Sequence, residues 1–211
     1  MVKSSWGGYW FRQFLRLTSL SNDQKQQAYQ ELLTTFHPIT TETLPAGSYN
    51  ILIVRGIFPS LTIPQFPEES ILWTKIGDEL GIHVPIHEMV TMLDREKLLL
   101  VCGDAYEDAV AQELQTRYGF KCYTKNREAL LKKGHRPDEL AQEDFRLCIY
   151  AQRVIGPIGS SLRLASKDAR WHLGLTNEPL SVDEWKVWHA ITQPDRMRAL
   201  PPLKHLLGTY M

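Results

Sequence analysis

Residues 94–126 read DREKLLLVCGDAYEDAVAQELQTRYGFKCYTKN, and the reading of this stretch decides the fold. Lys97 to Cys102 is a short apolar run between charged residues and Gly103-Asp104, which predicts a strand buried on both faces. Asp104, with Glu107 three residues on, fits a helix capping box. Tyr106, Val110, Leu114 and Tyr118 then recur every fourth residue, an apolar stripe at helical spacing. Gly119 supplies a stop that tolerates a left-handed backbone. Phe120 to Thr124 alternates as a strand does. The sum is a β-α-β unit over 97–124. One glycine beside a carboxylate makes Gly103-Asp104 a tight turn rather than a phosphate cradle.

Downstream, the charge pattern changes. Lys121, Lys125, Arg127, Lys132, Lys133 and Arg136 stand against one acid, Glu128, with His135 among them. Such a run is the strongest local sign of a phosphate-bearing partner. The acids that follow, Asp138, Glu139, Glu143 and Asp144, equally suit a solvated helix face. Phe145 to Val154 alternates, Ser161 to Ala165 and Ala169 to Leu175 read as two more strands, and Ser166-Lys167-Asp168 reads as the turn between them. Paired as an antiparallel sheet over 145–175, these strands gather Arg146, Tyr150, Gln152, Arg163, Arg170 and His172 on one face. Guanidinium groups for phosphate and a ring for stacking are what single-stranded RNA or DNA binders present.

Upstream, Trp6, Trp10, Phe14 and Leu17 line one side of an aromatic N-terminal helix, a docking surface for a protein partner or a helix packed on the core. Ser21 with Gln24 starts a helix that ends at His37-Pro38. Tyr49 to Val54 reads as a central strand. Residues 56–69 hold three prolines and read as an irregular loop, and 71–80 as a helix. His83 and His87 are four apart, but Pro85 between them argues against a helical metal site. Ser181 with Glu184 caps a last helix.

The expected fold is therefore α+β: the 97–124 unit, the antiparallel 145–175 region, and flanking N- and C-terminal helices. A length of 211 residues fits a single domain, 1–211, with 1–45 as a helical N-terminal extension and 176–211 as a helical C-terminal wrap. Charge is balanced, 24 basic against 24 acidic residues, so total charge excludes no partner class. Cys102, Cys122 and Cys148 form no Cys-x-x-Cys pair and point to reduced thiols in a cytoplasmic setting. No apolar run reaches the length of a membrane span, and no cofactor or metal motif stands out.

Three functions follow. The first is binding of single-stranded RNA or DNA, in a subunit of a larger assembly, through Lys125, Arg127, Lys132, Lys133, Arg136, Arg146, Tyr150, Arg163, Arg170 and His172. The second is a protein-binding adaptor that uses Trp6, Trp10 and Phe14. The third is a metal-independent ribonuclease with His135 and His172 as acid and base and Arg163 or Arg170 steadying the phosphorane. Glu107, Pro137-Asp138 and a following apolar strand resemble the layout of restriction-endonuclease-like folds. Ala151-Gln152-Arg153 stands where that layout needs a second acid and a lysine, which argues against metal-dependent cleavage. A small-molecule enzyme built on the β-α-β unit lacks a glycine fingerprint.

Overall fold

The computed structural model describes residues 17, 20–35, 44–54, 57–58, 84–86, 90–103, 107–156, 160–182 and 184–185. In chain order these form α1 (Asn22–Thr35), β1 (Tyr49–Ile53), β2 (Ile57–Phe58), β3 (Val84–Pro85), a 3-10 turn (Val90–Met92) and β4 (Leu98–Cys102). There follow α2 (Glu107–Tyr118), β5 (Cys122–Tyr123), α3 (Arg127–Lys132), α4 (Pro137–Tyr150), β6 (Arg153–Ile155) and α5 (Ser161–His172). The aromatic segment of Trp6, Trp10 and Phe14, the 71–80 segment, His83 and His87 lie outside the described residues, as does the 56–69 loop apart from β2.

Four strands make one sheet in the order β5-β4-β1-β6, with every pairing parallel. β1 meets β4 with Ile53 opposite Cys102, and meets β6 with Leu52 opposite Ile155. β2 and β3 form a separate two-stranded parallel pair. Parallel sheets are covered on both faces, and this one is. One face carries Tyr49, Ile51, Ile53, Leu100 and Cys102 against Tyr29 of α1, Ala141, Phe145 and Cys148 of α4, and Leu162, Ala165 and Ala169 of α5. The other carries Leu52, Val54, Leu99 and Val101 against Val110, Ala111 and Leu114 of α2. Each fully buried leucine, isoleucine or phenylalanine contributes roughly 2 kcal/mol of apolar transfer energy. The runs at 49–54 and 97–102 supply the central strands because, Asn50 and the leading Lys97 apart, they are apolar throughout, as strands covered on both faces require.

The class is thus α/β, not α+β, and the antiparallel 145–175 sheet does not form. Residues 137–150 are a helix, 153–155 a short parallel strand, and 161–172 a second helix. Pro137 occupies the first turn of α4, and the Glu139 carboxylate accepts a hydrogen bond from the Arg136 amide at 3.1 Å. A proline there is pre-organised for a helix and loses no useful donor. Once started, Leu140, Ala141, Phe145, Cys148 and Ile149 fall on one buried stripe. In α5, Ser160 accepts the Arg163 amide at 3.3 Å, and Leu162, Ala165 and Ala169 face the core. The alternation read over 145–154 is a coincidence of helical spacing, since a six-residue window fits both periods. The capping pairs Ser21–Gln24 and Ser181–Glu184 are both formed.

The end of β6 is pressed against the end of β1. A Cβ added at Gly156 would lie 2.9 Å from Ile53 Cβ and 3.3 Å from the Ile53 carbonyl oxygen. Neither atom can swing aside, since one is at a branched carbon and the other is main chain. Gly156→Ala is expected to cost about 1–3 kcal/mol, the usual range for overpacking, read as a lower urea midpoint with an unchanged slope. An unchanged midpoint would show that the two strand ends can part freely.

Candidate functional site at the carboxyl edge of the sheet

In an open parallel α/β sheet, ligands bind outside the carboxyl ends of the strands, where the strand order reverses. Here the chain runs outward from β1 to β4 to β5, then crosses back to place β6 on the other side of β1. The reversal lies between β1 and β6. Its rim is Val54, whose amide donates to the Cys102 carbonyl at 2.9 Å, then Gly156, and Ser160 at the start of α5. Next along the same edge come Cys102, Gly103 at φ 135°, and the residues that follow β5.

Those residues bring charge into the interior. After Tyr123, Lys125 turns inward, and Asn126 takes φ 51°, the one left-handed non-glycine among the described residues. Asn126 also caps α3 by accepting the Ala129 amide at 3.1 Å. Lys125 is 5% exposed; its ammonium pairs with Asp144 of α4 and donates to the Leu140 carbonyl at 3.4 Å. Burial pushes the Lys125 amine down from its ordinary range, with the Glu107 carboxylate pulling the other way. Glu107, in the first turn of α2, is buried as well. Burial raises its carboxyl, against the pull of Lys125 and then Arg127. Cys102 is raised by its contact with the Cys148 thiol and by burial.

The residues expected to bind nucleic acid are distributed as follows. Arg146 makes a fork to Glu143 at 2.7 and 2.8 Å. Arg163 is buried and pairs with Glu184 at 2.9 Å. Arg170 donates to the carbonyls of Cys148 at 3.1 Å, Ile149 at 2.9 Å and Ala151 at 2.5 Å. His172 lies 3.5 Å from Asp168 and meets Trp171 edge-on. Lys125 is buried and Arg127, partly buried, opens α3 beside Glu107. Lys132, Lys133, Arg136 and Tyr150 are exposed. Of these, Lys132 pairs with Glu128 at 2.7 Å, and Arg136 with Asp138 at 3.1 Å and Glu139 at 3.2 Å. Arg146, Tyr150, Arg163, Arg170 and His172 therefore share no sheet face; they stand on two helices. His135 is 3.5 Å from Glu139, whereas His172 answers to Asp168, so the two imidazoles are held by different carboxylates.

The edge residues to which sequence reasoning gives no role are Gly156 and Ser160; Glu107 it reads as a capping partner and nuclease-layout carboxylate, and Asp144 as one acid of a solvated face. A signal for the first two was present in Gly156-Pro-Ile-Gly159-Ser160-Ser161, two glycines followed by two helix-capping residues. It reads as a strand-to-helix loop only once 161–172 is recognised as helical. Among the described residues, no group of three or more His, Cys, Asp and Glu side chains could hold a metal ion. None of the described helices is long and apolar enough to cross a membrane.

The fold places this chain in the class of doubly wound, parallel α/β proteins. Beyond that class, the chain matches no protein-family model, no characterised protein and no solved structure.

Proposed function

We propose that this protein binds a phosphate-bearing small molecule of the nucleotide class in the crevice outside the carboxyl ends of β1 and β6. The observation that carries the reading is the strand order β5-β4-β1-β6, all parallel, with its reversal at β1. Numbered in chain order within this sheet it is 3-2-1-4, the first four strands of the 3-2-1-4-5-6 order of dinucleotide-binding folds. Two local features support it. Gly156 lets the ends of β1 and β6 approach closely at the point of reversal, since a Cβ there would lie 2.9 Å from Ile53 Cβ. The twelve-residue α5 begins at the same rim, so its main-chain N–H groups face the end of the sheet at which such ligands sit. The three free thiols suit a reducing, cytoplasmic compartment.

The single-stranded nucleic-acid reading drew chiefly on a sheet face that the helices replace. What supports it now is confined to Lys132, Lys133 and Arg136, two of which are already paired with acids. The two readings separate in one experiment. Thermal melting is followed with ADP, GDP, CDP, UDP or inorganic diphosphate, and in parallel with a single-stranded RNA at two salt concentrations. A small ligand at a hundred times its dissociation constant should add about 2.7 kcal/mol, raising the melting temperature by roughly 5–11 °C. No shift with any small ligand, alongside RNA binding that weakens steeply with salt, would overturn the proposal in favour of nucleic acid.

A further inference from the structure

Five acids among the described residues are buried: Glu107, Glu143, Asp144, Asp168 and Glu184. Four of them have partners of an ordinary structural kind. Glu143 receives both arms of the Arg146 guanidinium. Asp168 accepts the Tyr29 hydroxyl at 2.7 Å through Oδ2 and lies 3.5 Å from His172 through Oδ1. Glu184 receives Arg163 at 2.9 Å, Lys167 at 2.9 Å and the Ser181 amide at 2.8 Å. Glu107 accepts the Arg127 main-chain N–H. Asp144 differs. Its Oδ1 takes the Lys125 ammonium, while its Oδ2, equally shut from solvent, has no hydrogen-bond partner. A buried acceptor left without a donor is costly, and each such case in a native fold asks for a reason.

The turn that carries Lys125 is fixed on both sides. Thr124 Oγ1 donates to Asp108 Oδ1 of α2 at 2.5 Å, and the left-handed Asn126 caps α3. The amine is thereby delivered under α4 at the carboxyl ends of β4 and β5, within the field of Glu107 and Cys102. Carboxyl ends are where open α/β sheets carry their chemistry. The surrounding charges exclude most occupants. Asp144 and Glu107 repel a phosphate or a carboxylate, and Lys125 and Arg127 repel a metal ion or an amine. A small uncharged molecule is what remains. The reactive group that meets it is an amine whose charged form burial disfavours, held against a carboxylate that can take its proton. Amines placed in this way attack carbonyl carbons.

We infer that Lys125 is the nucleophile of a second site, where it forms an imine with a small uncharged aldehyde while Asp144 carries the protons. The inference goes beyond the nucleotide reading and does not depend on it, since β5 lies two strands from β1. One proton of the ammonium passes to Asp144 and frees the nitrogen lone pair. Nζ bonds to the carbonyl carbon, the C–O π pair moves onto oxygen, and the next proton of the nitrogen follows it to give a carbinolamine. Asp144 returns its proton to that hydroxyl, which leaves as water, and the nitrogen lone pair closes the C=N bond of a protonated imine. Oδ2 is the acceptor that serves the carbinolamine hydroxyl. Because the amine is sealed in the free chain, the edge must open locally to admit the aldehyde, which restricts the site to small ones.

Glycolaldehyde is the probe, added to the whole folded protein with cyanoborohydride, which reduces the imine and fixes a hydroxyethyl group on the amine. Peptide mass spectrometry then gives the rate at each lysine. Lys125 should be alkylated at least ~10-fold faster than the exposed Lys121, Lys132 and Lys133, because a lowered amine holds more of its free base at neutral pH. A lysine buried for structure alone reacts more slowly than exposed ones, and that order of rates would overturn the inference. Asp144→Asn should slow the reaction at Lys125 by about 100-fold and leave the three exposed lysines unchanged. An unaltered rate at Lys125 in that variant would overturn the role of Asp144. The wild-type rates need no variant, so poor folding of Asp144→Asn leaves the inference open to refutation.

Discussion

Replacing Arg170 with alanine is expected to destabilise the protein by about 3 kcal/mol, and to lower its melting temperature by roughly 6–12 °C. The Arg170 side chain crosses from α5 to the end of α4 and gathers the carbonyls of Cys148, Ile149 and Ala151, with Gln152 at 3.4 Å. The last carbonyls of a helix have no partner within it. Here a guanidinium from the neighbouring helix supplies one, and α4 can turn at once into β6. Hydrogen bonds to a charged group contribute about 1.5–3 kcal/mol each, and several share this guanidinium, so their loss is not additive. Arg170→Lys should recover only part of the loss, because an ammonium cannot span the carbonyls as a planar fork does. A melting temperature unchanged in Arg170→Ala would mean that water replaces the guanidinium without penalty. Neither outcome bears on nucleic-acid contact, since the side chain is directed at its own main chain.

The second large effect concerns Lys125. Its Lys125→Met variant leaves Asp144, whose side chain is 0% exposed, without its counter-ion, and leaves Glu107 facing only Arg127. Removing one partner of a buried pair costs about 3–5 kcal/mol, because the remaining charge stays desolvated. Lys125→Met combined with Asp144→Leu should recover most of it, since an apolar pair of similar volume replaces the ion pair. The pH dependence carries a definite sign. In Lys125→Met, Glu107 loses the cation that offsets its burial and Asp144 loses its counter-ion, so protonating either carboxyl in the folded chain removes an uncompensated buried charge. Their protonation on acidification then favours folding, so the gap from wild type should narrow as pH falls towards about 4. Urea melts of the three proteins at pH 7 and pH 4 measure this. A single variant within about 1 kcal/mol of wild type at pH 7 would show that solvent reaches the pair.

What the residues disclosed about the fold follows from how many independent signals each segment carried. At 97–124, burial pattern, capping and the glycine stop all agreed, and β4, α2 and β5 stand there in parallel register. At 145–175 only one signal was used, the alternation of Phe145, Leu147 and Ile149. The competing evidence was Pro137-Asp138-Glu139, a helix start eight residues upstream of Phe145. Extending the helix through Phe145 from that start would have placed Arg146 three residues from Glu143, where the pair in fact forms. Misreading those helices moved every arginine of the supposed binding face to the wrong element. The candidate site was less legible still, because it is assembled by topology. Glu107, Lys125 and Asp144 meet only after two crossovers have laid the ends of β4 and β5 beside α4, and no spacing in the chain encodes that meeting.

The two longest strands, YNILI and LLLVC, sit in the middle of the sheet, and both borders are stubs, two residues in β5 and three in β6. Short borders offer an incoming chain little to pair with, which blunts edge-to-edge aggregation. The same arrangement makes the borders a guard. A chain that frays at β6, or is cut in the connection before it, exposes the uncharged apolar strand β1 as a template of the kind that nucleates cross-β fibrils. Stability at the Arg170 turn is therefore also solubility, and variants that loosen it should precipitate from partly unfolded states well before they lose their helices.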